Sequence, residues 1–349
     1  MSVLIICEKP SVAKTVALAL GAAEQKDGYL SGDGLLVSWC IGHLISMADA
    51  GSYDERYKKW RYEDLPILPQ TWKYAPTPGK EKQLAALKEL LHRSDVSEVV
   101  NGCDAGREGE LIFRFVYEQA GCTKPFSRLW ISSMEDSAIR EGFAGRRAGT
   151  EYDALYQSAL CRARADWLVG INATRLFSVL YHKTLNVGRV LSPTLNLLVE
   201  RDGKITMFHK EKYHIVHIGC GGVDAESERI SDAAAADALR TACEASQAVC
   251  VSLKKEKKTA LPPKLFDLTL LQREANRVYG FTAKQTLDYA QSLYEKRFLT
   301  YPRTDSNYLT EDMAQTATDL VAALLPVLPF MRGAELVPEI GRVINSAKV

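Results

Sequence analysis

The chain has 349 residues, 46% of them hydrophobic and 25% charged, and its 44 basic and 43 acidic side chains leave a formal net charge of +1. This composition suits a soluble globular protein of two or three domains, at roughly 150 residues each, and excludes a low-complexity or disordered chain. No apolar run reaches the ~18 residues of a membrane span, no signal-peptide pattern opens the chain, and a near-neutral charge gives no global basic field, although a local groove can be basic on a neutral protein.

The first predicted element is VLIIC, residues 3–7, a continuous apolar run of the buried parallel-strand type. Glu8-Lys9-Pro10 makes the turn, and Ser11 is the expected N-cap of the helix VAKTVALALG. Residues 29–45 alternate apolar and small residues around Gly32 and Gly34, as short strands do. An amphipathic helix follows at 79–95, a second buried strand at SEVVNGCD (97–104), and a helix at 107–121 closed by Gly121. Strands alternating with helices predict an α/β domain with a mostly parallel sheet over residues 1–152. From Tyr152 the pattern turns helical, and LSPTLNLLVERDGK (191–204) adds another helix. HIVHIGCGG and AVCVSLKKEKK (248–258) read as strands around an alanine-rich helix, a small β-rich arm at 213–262. Two helices at 266–280 and 282–296, split by Gly280-Phe281, lead into LTYPRTDSNYLT, and Thr310 caps a further helix at 311–325. The predicted divisions are 1–152, 153–212, 213–262 and 263–349.

Two segments put acids at the carboxyl ends of strands, where ligands gather in parallel sheets: Glu8 with Lys9, and Asp104 with Arg107 and Glu108. Hard carboxylate oxygens suit Mg²⁺, and the glycines of DAGREGE suit a close-packed phosphate and metal site. Solvated charges at strand ends are the bland alternative. Arg162, Arg164 and Arg175 flank ADWLVGINAT, and Arg189 precedes the hydroxyls Ser192 and Thr194 at a helix start, a seat for phosphate. Arg162 could instead simply pair with Asp166 on one helical face. Gln272, Arg273 and Arg277 add polar and basic groups before the tyrosine segment. A phenol near its usual pKa of ~10 is a poor nucleophile until a cation or base helps it. Tyr301, with Arg303 two residues on and Thr304, Asp305 and Ser306 behind, therefore suggests attack on a phosphodiester. Eight cysteines with no CxxC pair argue against a zinc site or disulfide framework and for a reducing cytoplasm.

Several motifs in order carry a resemblance. IICEKPSVAK, CIGHLISMADAGSYDERYKKWRYEDLPILP, DAGREGELI, RLWISSMEDSAI, RADWLVGINATR, NVGRVLSPTL, FDLTLLQREANRVYGFTAKQTLDYAQSLYEK and LTYPRTDSNYLTED resemble segments of type IA DNA topoisomerases of the bacterial topoisomerase III kind. The resemblance implies a Toprim domain, the first part of a helical DNA-binding domain, one arm of a β-rich hinge and an incomplete domain carrying the nucleophilic tyrosine. It implies ATP-independent, Mg²⁺-dependent cleavage of single-stranded DNA, strand passage and religation, relaxing negatively supercoiled DNA or decatenating it. Tyr301 would become joined to the 5′ phosphate, Arg303 would stabilise that phosphate, and Glu8 would be general acid/base with Lys9 assisting. Glu8, Asp104 and Glu108 would hold Mg²⁺, and Arg162 would touch the DNA backbone. A monomer at the nucleoid is implied, with no ATP site, no membrane and a helicase as candidate partner.

Two local departures stand out. Gly106 occupies the second acidic position of the family's Asp-x-Asp-x-Glu motif, which favours one metal ion over two, and Leu191 replaces a polar residue of GRVQTPT. The sequence also ends at INSAKV where the family continues, so an open fragment is expected, with exposed strand edges at 211–260. The competing readings are a non-catalytic single-stranded DNA-binding fragment and a Toprim nuclease or primase-like protein; the last leaves TYPRTDS unexplained.

Overall fold

The computed structural model describes residues 1–131, 134–296, 298–329 and 339–348. By contacts the chain divides into one unit formed by Met1–Arg189 with the residues from Lys264 onward, and a second, Val190–Pro263.

The first unit is built on a seven-stranded sheet in the order β2-β3-β4-β1-β7-β8-β9. Its strands are β1 (Ser2–Cys7), β2 (Glu24–Lys26), β3 (Tyr29–Gly32), β4 (Leu35–Trp39), β7 (Val96–Gly102), β8 (Phe126–Arg128) and β9 (Arg147–Ala148). A separate antiparallel pair joins β5 (Ile45–Met47) to β6 (Tyr74–Pro76). The central strands β4, β1, β7 and β8 run parallel, while β2, β3 and β9 close the two edges antiparallel. The apolar run of β1 explains its place at the centre: Leu4 through Cys7 have no exposed surface. Its alternation splits the core. Leu4 and Ile6 face one cluster, with α2 (Glu81–His92), α3 (Arg107–Gln119) and the first turns of α5 (Asp153–Leu180). Ile5 and Cys7 face the other, with α1 (Pro10–Ala19) and α4 (Asp136–Ala144).

Helix α1 starts two residues earlier than expected. Pro10 opens it, and Lys9 stands at the cap position without a side-chain cap bond, so Ser11 is not the N-cap. Proline's fixed φ suits the first helical position, and its missing N–H costs nothing there. Helix α5 joins the sheet unit because Tyr156, Ala159 and Leu160 are buried in its core. By contacts, the division between the two units falls at 189/190.

The residues from Lys264 onward contribute α8 (Leu268–Tyr279), α9 (Ala283–Glu295) and α10 (Ala314–Leu324). Asp267 caps α8 through the Leu270 amide, and Gly280 ends it in the left-handed region at φ 70. Thr282 and Gln285 form a reciprocal capping box at the start of α9.

The second unit holds α6 (Leu191–Thr206), α7 (Ala233–Glu244) and the hairpin β10 (His217–Cys220) with β11 (Val223–Glu226). The strand expected at 248–258 is absent. A strand needs a ladder partner, and in this unit β10 and β11 pair only with each other. No helix among the described residues is long and apolar enough to cross a membrane.

Candidate active site

Two turns at neighbouring strand ends build the acidic corner. β1 delivers Glu8 and Lys9, and β7, paired directly with β1, delivers Cys103 and Asp104. Two glycines frame the second turn, and the later one is required. A Cβ at Gly102 would lie 3.0 Å from Ile5 Cγ2, and one at Gly109 would lie 2.2 Å from the Asp104 carbonyl oxygen. The first turn of α3 therefore seats on the Asp104 backbone only because residue 109 has no side chain.

The turn is also gripped from below by Arg128, at the end of β8. Its guanidinium is fully buried and donates to the carbonyls of Asn101 (3.0 Å), Cys103 (2.7 Å), Leu129 (3.1 Å) and Asp104 (2.8 Å). Its Nε lies at an ion-pair distance of 2.8 Å from Glu110 Oε1 without a hydrogen bond, and that oxygen accepts from Asn101 Nδ2 at 2.9 Å. Burial pushes the Glu110 carboxyl up and the Arg128 guanidinium down, so desolvation outruns the attraction within the pair.

Glu8 and Asp104 face each other. Burial, then the Asp104 charge, raises the Glu8 pKa to about 7, while Lys9 opposes the shift. Lys9 Nζ lies 3.5 Å from Asp104 Oδ2, an ion-pair distance. That oxygen is buried and has no hydrogen-bond partner.

Tyr301 reaches this corner. Its phenol lines one small cavity with Cys103, Asp104, Ile131, Met134 and Tyr294. Burial, then the charges of Asp104 and Glu8, raise its pKa, and only Arg303 pulls it down. Arg303 itself is exposed. The segment beyond Tyr301 is tied to the start of α8. Thr304 O accepts from the Leu268 amide at 3.1 Å, and Asn307 donates to Leu265 O (3.0 Å) and Asp267 Oδ2 (2.9 Å). Thr304 Oγ1 accepts from the Ser306 amide at 3.1 Å, which turns the hydroxyl-rich stretch back on itself.

Glu108 stands apart from the other two acids. His43 Nε2 holds it at 2.9 Å, and this bond, followed by the charges of Arg162 and Arg107, lowers its pKa. Among the described residues no three acid, histidine or cysteine groups converge into a ready ligand set. The structure thus brings Glu8 and Asp104 together but turns Glu108 toward His43. The donor chemistry still fits a hard cation, because the orphaned Asp104 oxygen is the kind of group that an Mg²⁺ ion satisfies.

The predicted phosphate contacts divide. Arg162 faces Glu108, and the expected Arg162–Asp166 pair does not form, because Arg189 Nη2 takes Asp166 at 2.5 Å. Arg164 lies 5.4 Å over the Trp72 ring. Arg175 is a correction. It is only 5% exposed, donates to the Tyr57 carbonyl at 2.7 Å and lies over Trp60, so it clamps a loop onto α5 instead of facing solvent. Gln272 donates to Ala283 O at 3.0 Å and ties α8 to α9, while Arg273 is exposed. Ser192 and Thr194 lie in the first turn of α6, in the second unit, where Val190 is the cap; Thr194 Oγ1 donates back to Val190 O at 2.7 Å. Sequence reasoning missed Arg128, Glu110, Asn101, His43 and Tyr294. All five lie within quoted segments, Arg128 at the start of RLWISSMEDSAI and Tyr294 in LDYAQSLYEK, and the polar type of Asn101, Glu110 and His43 gave a signal.

The family model described as DNA topoisomerase matches residues 150–329, and the model of the Toprim domain matches residues 3–134. The chain is 41% identical to a DNA topoisomerase 3 of Shouchella clausii and 40% identical to that of Bacillus subtilis, each alignment covering 99% of this chain and 49% of the relative. The chain thus spans about half the length of these curated relatives. The structure of full-length topoisomerase I from Thermotoga maritima superposes with a TM-score of 0.65 at 25% identity, over 99% of this chain and 58% of that one. With a Toprim sheet, a tyrosine-bearing helical segment and this match, the chain belongs to the type IA DNA topoisomerase family.

Proposed function

We propose that this chain carries the strand-cleaving half of a topoisomerase: reversible breakage of single-stranded DNA through a phosphotyrosine at Tyr301. The observation that carries the reading is that Tyr301 lines one cavity with Asp104, from segments nearly two hundred residues apart, with Glu8 near enough for its charge to act on the phenol.

Tyr301 Oη attacks the phosphorus, a bond forms to the 5′ phosphate, and the bond to the 3′ oxygen breaks. Glu8, poised near pH 7, is partly protonated at neutrality and gives a proton to the leaving 3′ oxygen. Asp104, which accepts a hydrogen bond from the phenol, is the acceptor at hand for its proton. Arg303 offsets their effect on the phenol, and a guanidinium can bind a phosphate oxygen bidentately. Lys9 screens Asp104. Glu8 and Asp104 would hold Mg²⁺, joined by Glu108 if it leaves His43. Such an ion, when bound, supplies positive charge that stabilises the phosphate's developing charge. The 3′ hydroxyl reverses the step, so the phosphodiester energy is kept in the phosphotyrosine. Arg162, Arg164, Arg189 and Arg273 are the candidate backbone contacts, with single-stranded DNA as the partner.

The test is a denaturing gel. The 349-residue chain and its Tyr301→Phe variant are incubated with 3′-labelled single-stranded DNA and Mg²⁺ and then quenched with detergent. A protein–DNA adduct that vanishes in the variant supports the proposal. Intact DNA binding with no adduct from either protein would overturn it and leave a binding fragment.

A further inference from the structure

Tyr294 sits near the end of α9 and is only 2% exposed. Among the described residues beyond Lys264, it is the one buried in the core of the sheet's α1 face, in a cluster that includes Ile5, Cys7, Val100 and Met134. Its ring meets that of Tyr301 edge-on, with centroids 5.5 Å apart and planes at 71°. Both rings line the cavity that contains Asp104. Among the described residues, no hydrogen bond is made by the Tyr294 hydroxyl, so its placement rests on the ring.

We infer that Tyr294 is a positioning residue: its buried ring anchors α9 to the sheet domain and fixes the direction of the Tyr301 phenol toward Asp104. The inference rests on Tyr301 being the nucleophile. Tyr301 lies past the helix end, in irregular backbone, so no regular hydrogen-bond ladder sets its side chain. Its neighbours must do so. Asp104 accepts from the neutral phenol and so fixes its tip, while the edge-on Tyr294 ring sets the orientation of the Tyr301 ring. An edge-to-face pair is directional, and burying the anchor ring adds a large apolar contact. Tyr294 touches neither the reacting phosphate nor the 3′ oxygen in this scheme. It acts through Tyr301.

The test compares Tyr294→Leu and Tyr294→Phe in the full chain by three readouts. The first is the single-turnover rate of adduct formation at saturating single-stranded DNA, and the second is DNA affinity by fluorescence anisotropy. The third is hydrogen exchange of the α9 amides, measured without DNA. Misplacing a reacting atom by an ångström costs about 10²-fold, so the leucine variant should form adduct roughly 10- to 100-fold more slowly. Its DNA affinity should stay within about twofold, because the ring is buried away from the surface. The phenylalanine variant keeps the ring and should recover to within about threefold. Exchange of α9 should quicken in the leucine variant alone, with β1 and β7 unchanged. A leucine variant with wild-type rate and protection would overturn the inference. So would a rate loss matched by lost affinity, or a phenylalanine variant as slow as the leucine one. If the wild-type chain forms no adduct, the assignment of Tyr301 as the nucleophile fails on its own, and α9 exchange alone then decides the anchoring: unchanged protection in the leucine variant refutes it.

Discussion

Replacing Arg128 by methionine should unfold the acidic corner before it alters any surface. The guanidinium is fully buried and satisfies four backbone carbonyls and Glu110. Both members of the pair shift toward their neutral forms, which means that burial costs more than their attraction returns. The pair is therefore not a large net source of stability, but breaking it is expensive. Glu110, 1% exposed, would keep only the Asn101 amide and a long contact to Arg114 Nε at 3.4 Å, and the carbonyls would lose the Arg128 donors. Removing one partner of such a pair costs about 3–5 kcal/mol. At about 3 °C per kcal/mol for a domain of this size, the melting temperature should fall by about 10–15 °C. Arg128→Met combined with Glu110→Met removes the stranded charge and should recover roughly half of the loss, because the carbonyls still lack donors. Differential scanning calorimetry of the two variants without metal checks this. A single variant that melts within ~2 °C of wild type, or a double variant that is worse than the single, would refute the argument.

Other expectations can be measured with the same chain. Gly109→Ala places a methyl group 2.2 Å from the Asp104 carbonyl oxygen, so it should cost about 1–3 kcal/mol in urea unfolding and weaken adduct formation. Glu8 has a raised pKa, so its protonated form is favoured in the fold. Its contribution to stability is present below its ordinary pKa of 4.5 and is lost as pH rises through about 7, up to roughly 3 kcal/mol. In EDTA, Glu8→Gln should therefore flatten the fall in melting temperature between pH 5 and pH 8. A Cβ at Gly106 meets no atom within 4 Å, and the backbone there is extended, so Gly106→Asp should fold normally and tighten Mg²⁺ binding severalfold by calorimetry. Arg175→Ala should lower stability while leaving the affinity for single-stranded DNA within about twofold, because its guanidinium is buried against Tyr57.

Local patterns in the sequence were good guides wherever one segment determined its own structure. The apolar runs at 3–7 and 97–104 became the paired central strands, and Gly280 with Thr282 marked the break between α8 and α9. Long-range facts were not readable. Nothing in TYPRTDS says that Tyr301 lies beside Asp104, since that depends on how α9 packs on the sheet. An arginine at a strand end and a tyrosine on an amphipathic helix look like surface residues, yet Arg128 and Tyr294 are among the buried ones. Arg175 failed for the same reason in reverse: charge type alone does not tell a phosphate contact from a loop clamp. The stretch 248–258 has strand-forming residues but no partner, and strand propensity without a ladder makes no sheet.

The two carboxylates around Tyr301 also have a protective consequence. They are the groups that would assist the reaction, yet burial and their charge make the phenol harder to ionise than an ordinary tyrosine. The site behaves like a lock that needs two keys. On the proposed reading, a cation to mask the acids and a phosphate brought beside Arg303 would both be needed to arm the nucleophile, and contact with DNA alone would leave the strand intact.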